Sequence, residues 1–67
     1  MFEREFRFSD LKITMRSGQT IRHRNETGDL FINSDYVFFQ TDINNGTVFQ
    51  CGAIPMDLIS NIWFDKA

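Results

Sequence analysis

Cysteine, histidine and proline are scarce in this chain of 67 residues, which contains one of each. A single cysteine, Cys51, excludes a disulfide within the monomer, and one Cys with one His falls short of the four-ligand set of a zinc site. We therefore expect no cofactor and no metal. A chain this short buries only about 60% of the surface that its unfolded form exposes, so an unusually apolar core or self-association has to supply its stability.

A surplus of one charge and long apolar runs are also missing. Seven basic and nine acidic side chains leave a net charge of -2, which provides no global field for attracting nucleic acid or an anionic membrane. No apolar run approaches the roughly 18 residues of a membrane-spanning helix, and no signal peptide is recognisable. Together with the lone thiol, these absences predict a cytoplasmic protein without a membrane partner.

Aromatic residues, in contrast, are abundant: eight Phe, Tyr36 and Trp63 make up 15% of the chain. Each buried ring removes about 150–250 Å² from water, and a one-layer core of this size has difficulty covering them all. Either the core is rich in Phe with a few rings partly exposed, or several rings form a subunit or partner interface. The composition leaves both interpretations open.

The N-terminal segment predicts a bulged strand over residues 5–15. Its apolar alternation changes parity at Ser9-Asp10, and a β-bulge there would keep both apolar sets on the inner face. The alternative is a short N-terminal helix that pairs Phe2 with Phe6.

A tight hairpin is predicted next. Arg16-Ser17-Gly18 fits a three-residue loop with Gly18 in the left-handed conformation. The resulting register predicts two inner pairs and two outer pairs, which are Ile13 with Ile21, Leu11 with His23, Lys12 with Arg22, and Asp10 with Arg24.

The middle of the chain predicts a bent third strand and a second hairpin. The third strand covers residues 30–33 and, after an interruption or bend at Ser34-Asp35, residues 36–41. Asn44-Asn45-Gly46 is the strongest hairpin signal in the chain, and the fourth strand follows over residues 47–51. One of Phe38 and Phe39 is expected to face inward.

The C-terminal segment allows two interpretations. The spacing of Leu58, Ile59, Ile62 and Trp63 is helical, whereas residues 62–64 have strand propensity. We favour one helical turn over residues 55–59, followed by a closing strand over residues 61–64.

This order of short strands, with a helical turn before the last one, resembles the small-barrel superfold that includes the Sm-like and SH3-like domains. The resemblance rests on residues 12–24 as the first hairpin, 36–51 as the second, and 54–62 as the lead into the closing strand. It implies a mostly-β fold, a five-stranded small antiparallel barrel formed by one domain over residues 1–67. No Sm-family RNA-binding motif accompanies it, so the resemblance implies a fold and no function.

Catalytic chemistry has little support in this sequence. A nucleophile needs an adjacent base and an orienting third group, and Cys51 and His23 are explained more simply as inner-face structural residues. Asp29 and Asp35 flank a strand and are typical of turns. Without a phosphate loop or a metal-spaced cluster, we expect no enzyme and no catalytic residues.

The best polar feature is a basic strand face. Four cations can lie on one side of the first hairpin and hold phosphates, namely Lys12, Arg16, Arg22 and Arg24. The alternative is a solvated face whose arginines pair with Asp10 and Glu26. If a nucleotide or single-stranded nucleic acid binds, Phe31, Phe38 or Tyr36 would be the stacking platform.

Unpaired strand edges are a further candidate for an interaction surface. The predicted second and fourth strands carry few of the features that deter edge-to-edge pairing, so we expect a homo-oligomer. The main hypothesis is a non-catalytic interaction module that engages a protein partner through Phe31, Tyr36, Phe38 and Trp63. An accessory protein of a phage or mobile element, which inhibits or sequesters a host component, would have this character. The alternative is a nucleotide or single-stranded nucleic-acid binder that uses the basic face.

Overall fold

The computed structural model describes residues 4–42 and 51–67 as one antiparallel sheet curled into a half-barrel. Its strands are β1 (Arg4–Met15), β2 (Thr20–His23), β3 (Gly28–Ile32), β4 (Tyr36–Thr41), β5 (Cys51–Pro55) and β6 (Ile59–Lys66). A 3-10 turn over Met56–Leu58 precedes β6. The predicted mostly-β fold with one helical turn before the last strand is confirmed.

The long first strand organises the sheet. The order is β2-β1-β3-β4-β5, and β6 also pairs with β1. The C-terminal half of β1 pairs with β2 and its N-terminal half pairs with β3. All these pairings are antiparallel. Within the described residues, β2, β5 and β6 each pair with a single neighbour, so the sheet stays open.

The predicted bent third strand is wrong in one respect, because it forms two strands. The chain reverses between β3 and β4, and the sheet therefore has six strands where five were expected. The Asn33 side chain causes the reversal: its Oδ1 accepts hydrogen bonds from the backbone N–H of Asp35 at 2.8 Å and of Tyr36 at 2.6 Å. Such an Asx turn satisfies the backbone groups that a continuous strand would have paired.

The bulge in β1 is confirmed. Its register with β6 shifts between Phe8 and Asp10, so Ser9 is the extra residue. Phe8 and Leu11, on either side of the bulge, are both fully buried. The alternative N-terminal helix is wrong from Arg4 onward, since β1 begins there; Phe2 lies outside the described residues.

Three of the four predicted hairpin pairs are present: Ile13 with Ile21, Leu11 with His23 and Lys12 with Arg22. Gly18 has a φ of +94°, which is the left-handed conformation that the loop requires. The fourth pair, Asp10 with Arg24, is wrong. The ladder ends at Leu11 and His23, and Asn25, with a φ of 54°, turns the chain away.

The core lies on the concave face of the half-barrel. Its buried members are Phe8, Leu11, Ile13, Leu30, Val37, Phe39, Ile54 and Ile59. Phe39 is thus the inward-facing member of the Phe38-Phe39 pair. Among the rings of the described residues, Phe8 and Phe39 are buried while Tyr36 and Trp63 are exposed. A large share of the aromatic surface therefore stays outside the core.

The C-terminal prediction holds with shifted bounds. The turn covers Met56–Leu58, and the closing strand is longer than predicted, at Ile59–Lys66. The predicted hairpin Asn44-Asn45-Gly46 and most of the predicted strand 47–51 lie outside the described residues. The described part of that strand begins at Cys51 and continues to Pro55. In the described ranges, no helix has the length and apolar character needed to cross a membrane.

Candidate interaction surfaces on the outer face

The convex, outer face of the sheet is organised in rows by the strand registers. Residues directly opposite each other on neighbouring strands share a face. One row runs from Glu5 on β1 through Phe31 and Phe38 to Ala53 on β5. Another row runs from Arg22 on β2 through Lys12 on β1 to Trp63 on β6. The outer face is therefore divided into an aromatic half and a cationic half.

The aromatic half carries an apolar strip, which we call the aromatic strip; its members are Phe31, Tyr36, Phe38, Ala53 and Pro55. The rings of Phe31 and Phe38 lie 5.8 Å apart in a tilted arrangement. Tyr36 is opposite Pro55 and is 49% exposed. Three of the four predicted partner-binding residues are thus brought together by β3 and β4.

The aromatic strip ends at β5, whose outer side is unpaired within the described residues. This strand has the sequence Cys-Gly-Ala-Ile-Pro and contains no charged side chain. The other long edge, β6, has a bulge at Ser60 and carries Asp65 and Lys66. Bulges, charges and proline deter edge pairing. Of these, β5 has only Pro55, at its last position, so β5 is the less protected of these two edges.

The cationic half contains a shallow groove of about 340 Å³. We call it the Trp63 groove; it is lined by Lys12, Thr14, Arg22, Asn61 and Trp63. These side chains come from β1, β2 and β6, and the registers place them in two adjacent outer rows. Trp63, which the sequence grouped with the partner-binding rings, therefore lies beside the predicted phosphate-binding residues.

Arg22 is held in place from two sides. Its Nη2 lies 3.0 Å from Asp10 Oδ1, and its guanidinium carbon is 5.2 Å from the centre of the Trp63 ring. Both contacts reduce the freedom of the side chain. The Asp10 contact is an ion pair without hydrogen-bond geometry, and Asp10 Oδ1 is buried.

The four predicted phosphate-binding cations do not form one cluster. Lys12 and Arg22 line the groove, whereas Arg16 lies in the hairpin loop and Arg24 follows the end of β2, both exposed. The expected alternative, pairing with acidic residues, applies to Arg22 and Asp10. Glu26 instead lies 3.4 Å from Nδ1 of His23.

The two residues considered for catalysis lie on opposite faces of the sheet. His23 is buried on the inner face, with its ring 5.2 Å from that of Phe39. The inner position expected for Cys51 is wrong: the thiol is exposed. Cys51 is opposite Gln40, and Phe39 and Thr41 occupy the inner positions on either side of that residue. Over residues 4–42 and 51–67, no cluster of potential metal ligands is found.

Sequence reasoning missed an ion-pair network at the far end of the aromatic half. The Arg7 guanidinium donates to Asp29 at 3.1 Å and to both carboxylate oxygens of Asp42, at 3.0 and 2.6 Å. The Thr27 hydroxyl also donates to Asp42, at 2.9 Å. The hydrogen bonds from Arg7, then that from Thr27, lower the pKa of Asp42 from 3.8 to about 2. The pKa of Arg7 is raised by the same contacts.

This network ties the start of β1 to β3 and to the residue that follows β4. Arg7 is opposite Asp29 in the β1–β3 register. The pair could have been found from the sequence had β3 been placed beside the N-terminal half of β1. The contact of Arg7 with Asp42 could not have been found in this way, because Asp42 follows the end of β4 and has no partner in the described strand registers.

Comparisons with protein-family models, curated proteins and solved structures find no match for this chain.

Proposed function

We propose that this chain is a non-catalytic interaction module that pairs with a second copy through β5 and presents the aromatic strip to a protein partner. The observation that carries the proposal is an apolar strip bordering an uncharged strand. Tyr36, Ala53 and Pro55 are exposed in this strip, and Phe31 and Phe38 are half-buried. Apolar patches on a protein surface are typical of interaction sites, and an open strand edge is a template for a further strand. A reducing cytoplasm, where the exposed Cys51 stays a thiol, is the setting we propose.

Pairing of β5 with β5 is the arrangement that we favour over pairing of β5 with β6. The bulge and the charges on β6 oppose a close approach of another strand. β5 has neither, and its one deterrent, Pro55, stands at the end of the strand and leaves residues 51–54 available for pairing. Two identical edges can pair antiparallel around a two-fold axis, and such an isologous contact is closed at two copies. A dimer is therefore the proposed assembly.

The two-fold axis of such a pair would run perpendicular to the sheets. It would place both convex faces on the same side, so the two aromatic strips would lie next to each other across the β5–β5 seam. The strand is short, at five residues, and a contact of this size gives a weak interface. We therefore propose a concentration-dependent dimer whose joined strips form the surface for the partner.

Sedimentation equilibrium tests the pairing. Ala53 is exposed in the middle of β5, and Ala53→Lys adds a charge to this edge without touching the core. Ser60→Lys is the matched control, since it makes the same charge change at an exposed position of β6. We expect the wild type and Ser60→Lys to dimerise with rising concentration, and Ala53→Lys to remain a monomer. A wild-type monomer at high concentration, or loss of the dimer in Ser60→Lys, would refute β5–β5 pairing.

The partner-binding step is tested by a second matched pair. Tyr36→Ser removes the most exposed ring of the aromatic strip, and Leu58→Ser removes a side chain that is 51% exposed outside it. A protein captured from the native host by the wild type should be retained by Leu58→Ser and lost by Tyr36→Ser. Loss of the captured protein with both variants, or its retention by both, would contradict the role of the aromatic strip. Sequestration of a host protein by a phage or mobile-element accessory chain is the biological role that we propose for such capture.

A further inference from the structure

The Trp63 groove has a chemistry that differs from that of the aromatic strip. Trp63 provides a flat aromatic wall that is 43% exposed. Lys12 and Arg22 provide two cations, and Thr14 and Asn61 provide two neutral hydrogen-bonding side chains. Trp and Arg also occur in protein-binding hot spots, but hot spots lie in desolvated pockets, whereas this groove is shallow and has four polar side chains among its five lining residues.

The charges of the groove are suited to one phosphate. The positive charge of Arg22 is partly balanced by its ion pair with Asp10, whereas Lys12 forms no ion pair with any of the described residues. Asp65 on β6 lies opposite Asp10 on β1, so a second carboxylate stands next to that of Asp10 on the outer face. A long polyanion would meet these two carboxylates, and the net charge of -2 adds no attraction for it.

The volume of the Trp63 groove and the arrangement of its side chains are suited to one nucleobase as well. The volume of about 340 Å³ lies at the lower end of the range for small-ligand sites, which is roughly 300–1,000 Å³. Aromatic side chains and guanidinium planes both stack on bases, and Arg22 is already fixed against Trp63 at 5.2 Å. Fixing the side chains before binding reduces the entropy lost when a ligand is bound.

We propose that the Trp63 groove binds a nucleotide, with its base against the Arg22–Trp63 pair and its phosphate on Lys12 and Arg22. Thr14 and Asn61 donate or accept hydrogen bonds at the groove floor. This site is independent of β5 pairing, because the groove belongs to β1, β2 and β6. The ligand is a free nucleotide, because the further phosphates of a strand would meet Asp10 and Asp65.

Trp63 is the only tryptophan in the chain, so its fluorescence reports directly on the groove. The probes are AMP and UMP, with adenosine and inorganic phosphate as separate half-ligands, and a short oligoribonucleotide. We expect saturable quenching by a mononucleotide, at a concentration at least about tenfold below that required for either half-ligand. We expect the oligoribonucleotide to bind no more tightly than the mononucleotide, and tighter binding of the oligoribonucleotide would contradict a free nucleotide as the ligand.

Two variants with the same change in net charge test the assignment. Lys12→Glu alters the groove, and Lys66→Glu alters an exposed position at the end of β6. We expect Lys12→Glu to weaken mononucleotide binding by about tenfold or more and Lys66→Glu to leave it within about twofold. Equal weakening by both variants, or no saturable change of the Trp63 signal with any probe, would overturn the proposal. Ala53→Lys should bind as the wild type does, so a failure of β5 pairing and a failure of the groove are distinguishable.

Discussion

The two halves of the outer face belong to the same sheet but use their side chains differently. On the aromatic half, the rings lie next to an uncharged strand that is open within the described residues. On the cationic half, the exposed Trp63 ring has Arg22 against it, and Arg22 is itself paired with Asp10. Exposed aromatic side chains in a small sheet therefore need not form one surface. The strand register decides which neighbours each ring receives.

The largest expected effect comes from a core residue that lies beneath the junction of the two halves. Phe8 is fully buried where β1 passes from pairing with β3 to pairing with β2. Phe8→Ala should lower the free energy of unfolding by about 3–5 kcal/mol, because it removes a buried ring and leaves a cavity. The urea midpoints measured by Trp63 fluorescence and by circular dichroism should decrease by the same amount. Separate transitions for the two signals would show that the halves fold independently.

A smaller effect should be confined to the aromatic half. Asn33→Ala removes the acceptor for two backbone N–H groups in the β3–β4 turn, and we expect a loss of about 1–2 kcal/mol. Asn33→Asp retains an acceptor oxygen and is the control. The Trp63 emission of the folded Asn33→Ala protein should equal that of the wild type. A shifted emission maximum would mean that the turn also supports the cationic half.

The Arg7 network predicts acid sensitivity at the far end of the aromatic half. The pKa of Asp42 is about 2 in the folded chain, below its unfolded value, so the stabilisation is complete above about pH 4 and is lost as the pH falls through about 2. Salt weakens it, because the partners are partly exposed. The urea midpoint of Asp42→Asn should be lower than that of the wild type at pH 7, and the difference should shrink toward pH 2. A constant difference, or the same behaviour in Asp35→Asn, would contradict this account.

The smallest effect is expected at the Arg22–Trp63 contact. Arg22→Ala removes the ion pair with Asp10 and the cation over the ring, and these two partly exposed contacts together contribute about 0.5–1 kcal/mol. The Trp63 emission should shift, whereas dimerisation through β5 should not change. A dimer weakened by Arg22→Ala would show that the two halves are coupled.

Local patterns carried much of the fold. The parity change in β1 predicted the bulge, and the Arg16-Ser17-Gly18 loop predicted the register of the first hairpin. The reversal at Asn33 was missed, because an Asx turn depends on one side-chain oxygen that alternation does not reveal. The inner position assigned to Cys51 was wrong for a related reason, since the face of β5 is set by its pairing with β4.

The candidate surfaces were harder to predict than the strands. Phe31, Tyr36 and Phe38 are close in sequence on β3 and β4, and a hairpin brings them together. Trp63 and Lys12 are 51 positions apart in the chain, and they meet because β6 pairs with β1. That pairing is a long-range contact, which the pattern of a single strand does not determine.

Residue-resolved hydrogen exchange, measured at low and high protein concentration, tests the central claim most directly. The account predicts that amides of β5 exchange more slowly at high concentration, while those of β6 and of the Trp63 groove do not change. Concentration-dependent protection of β6, or none in β5, would contradict the claim that β5 is the edge through which this chain meets a second copy.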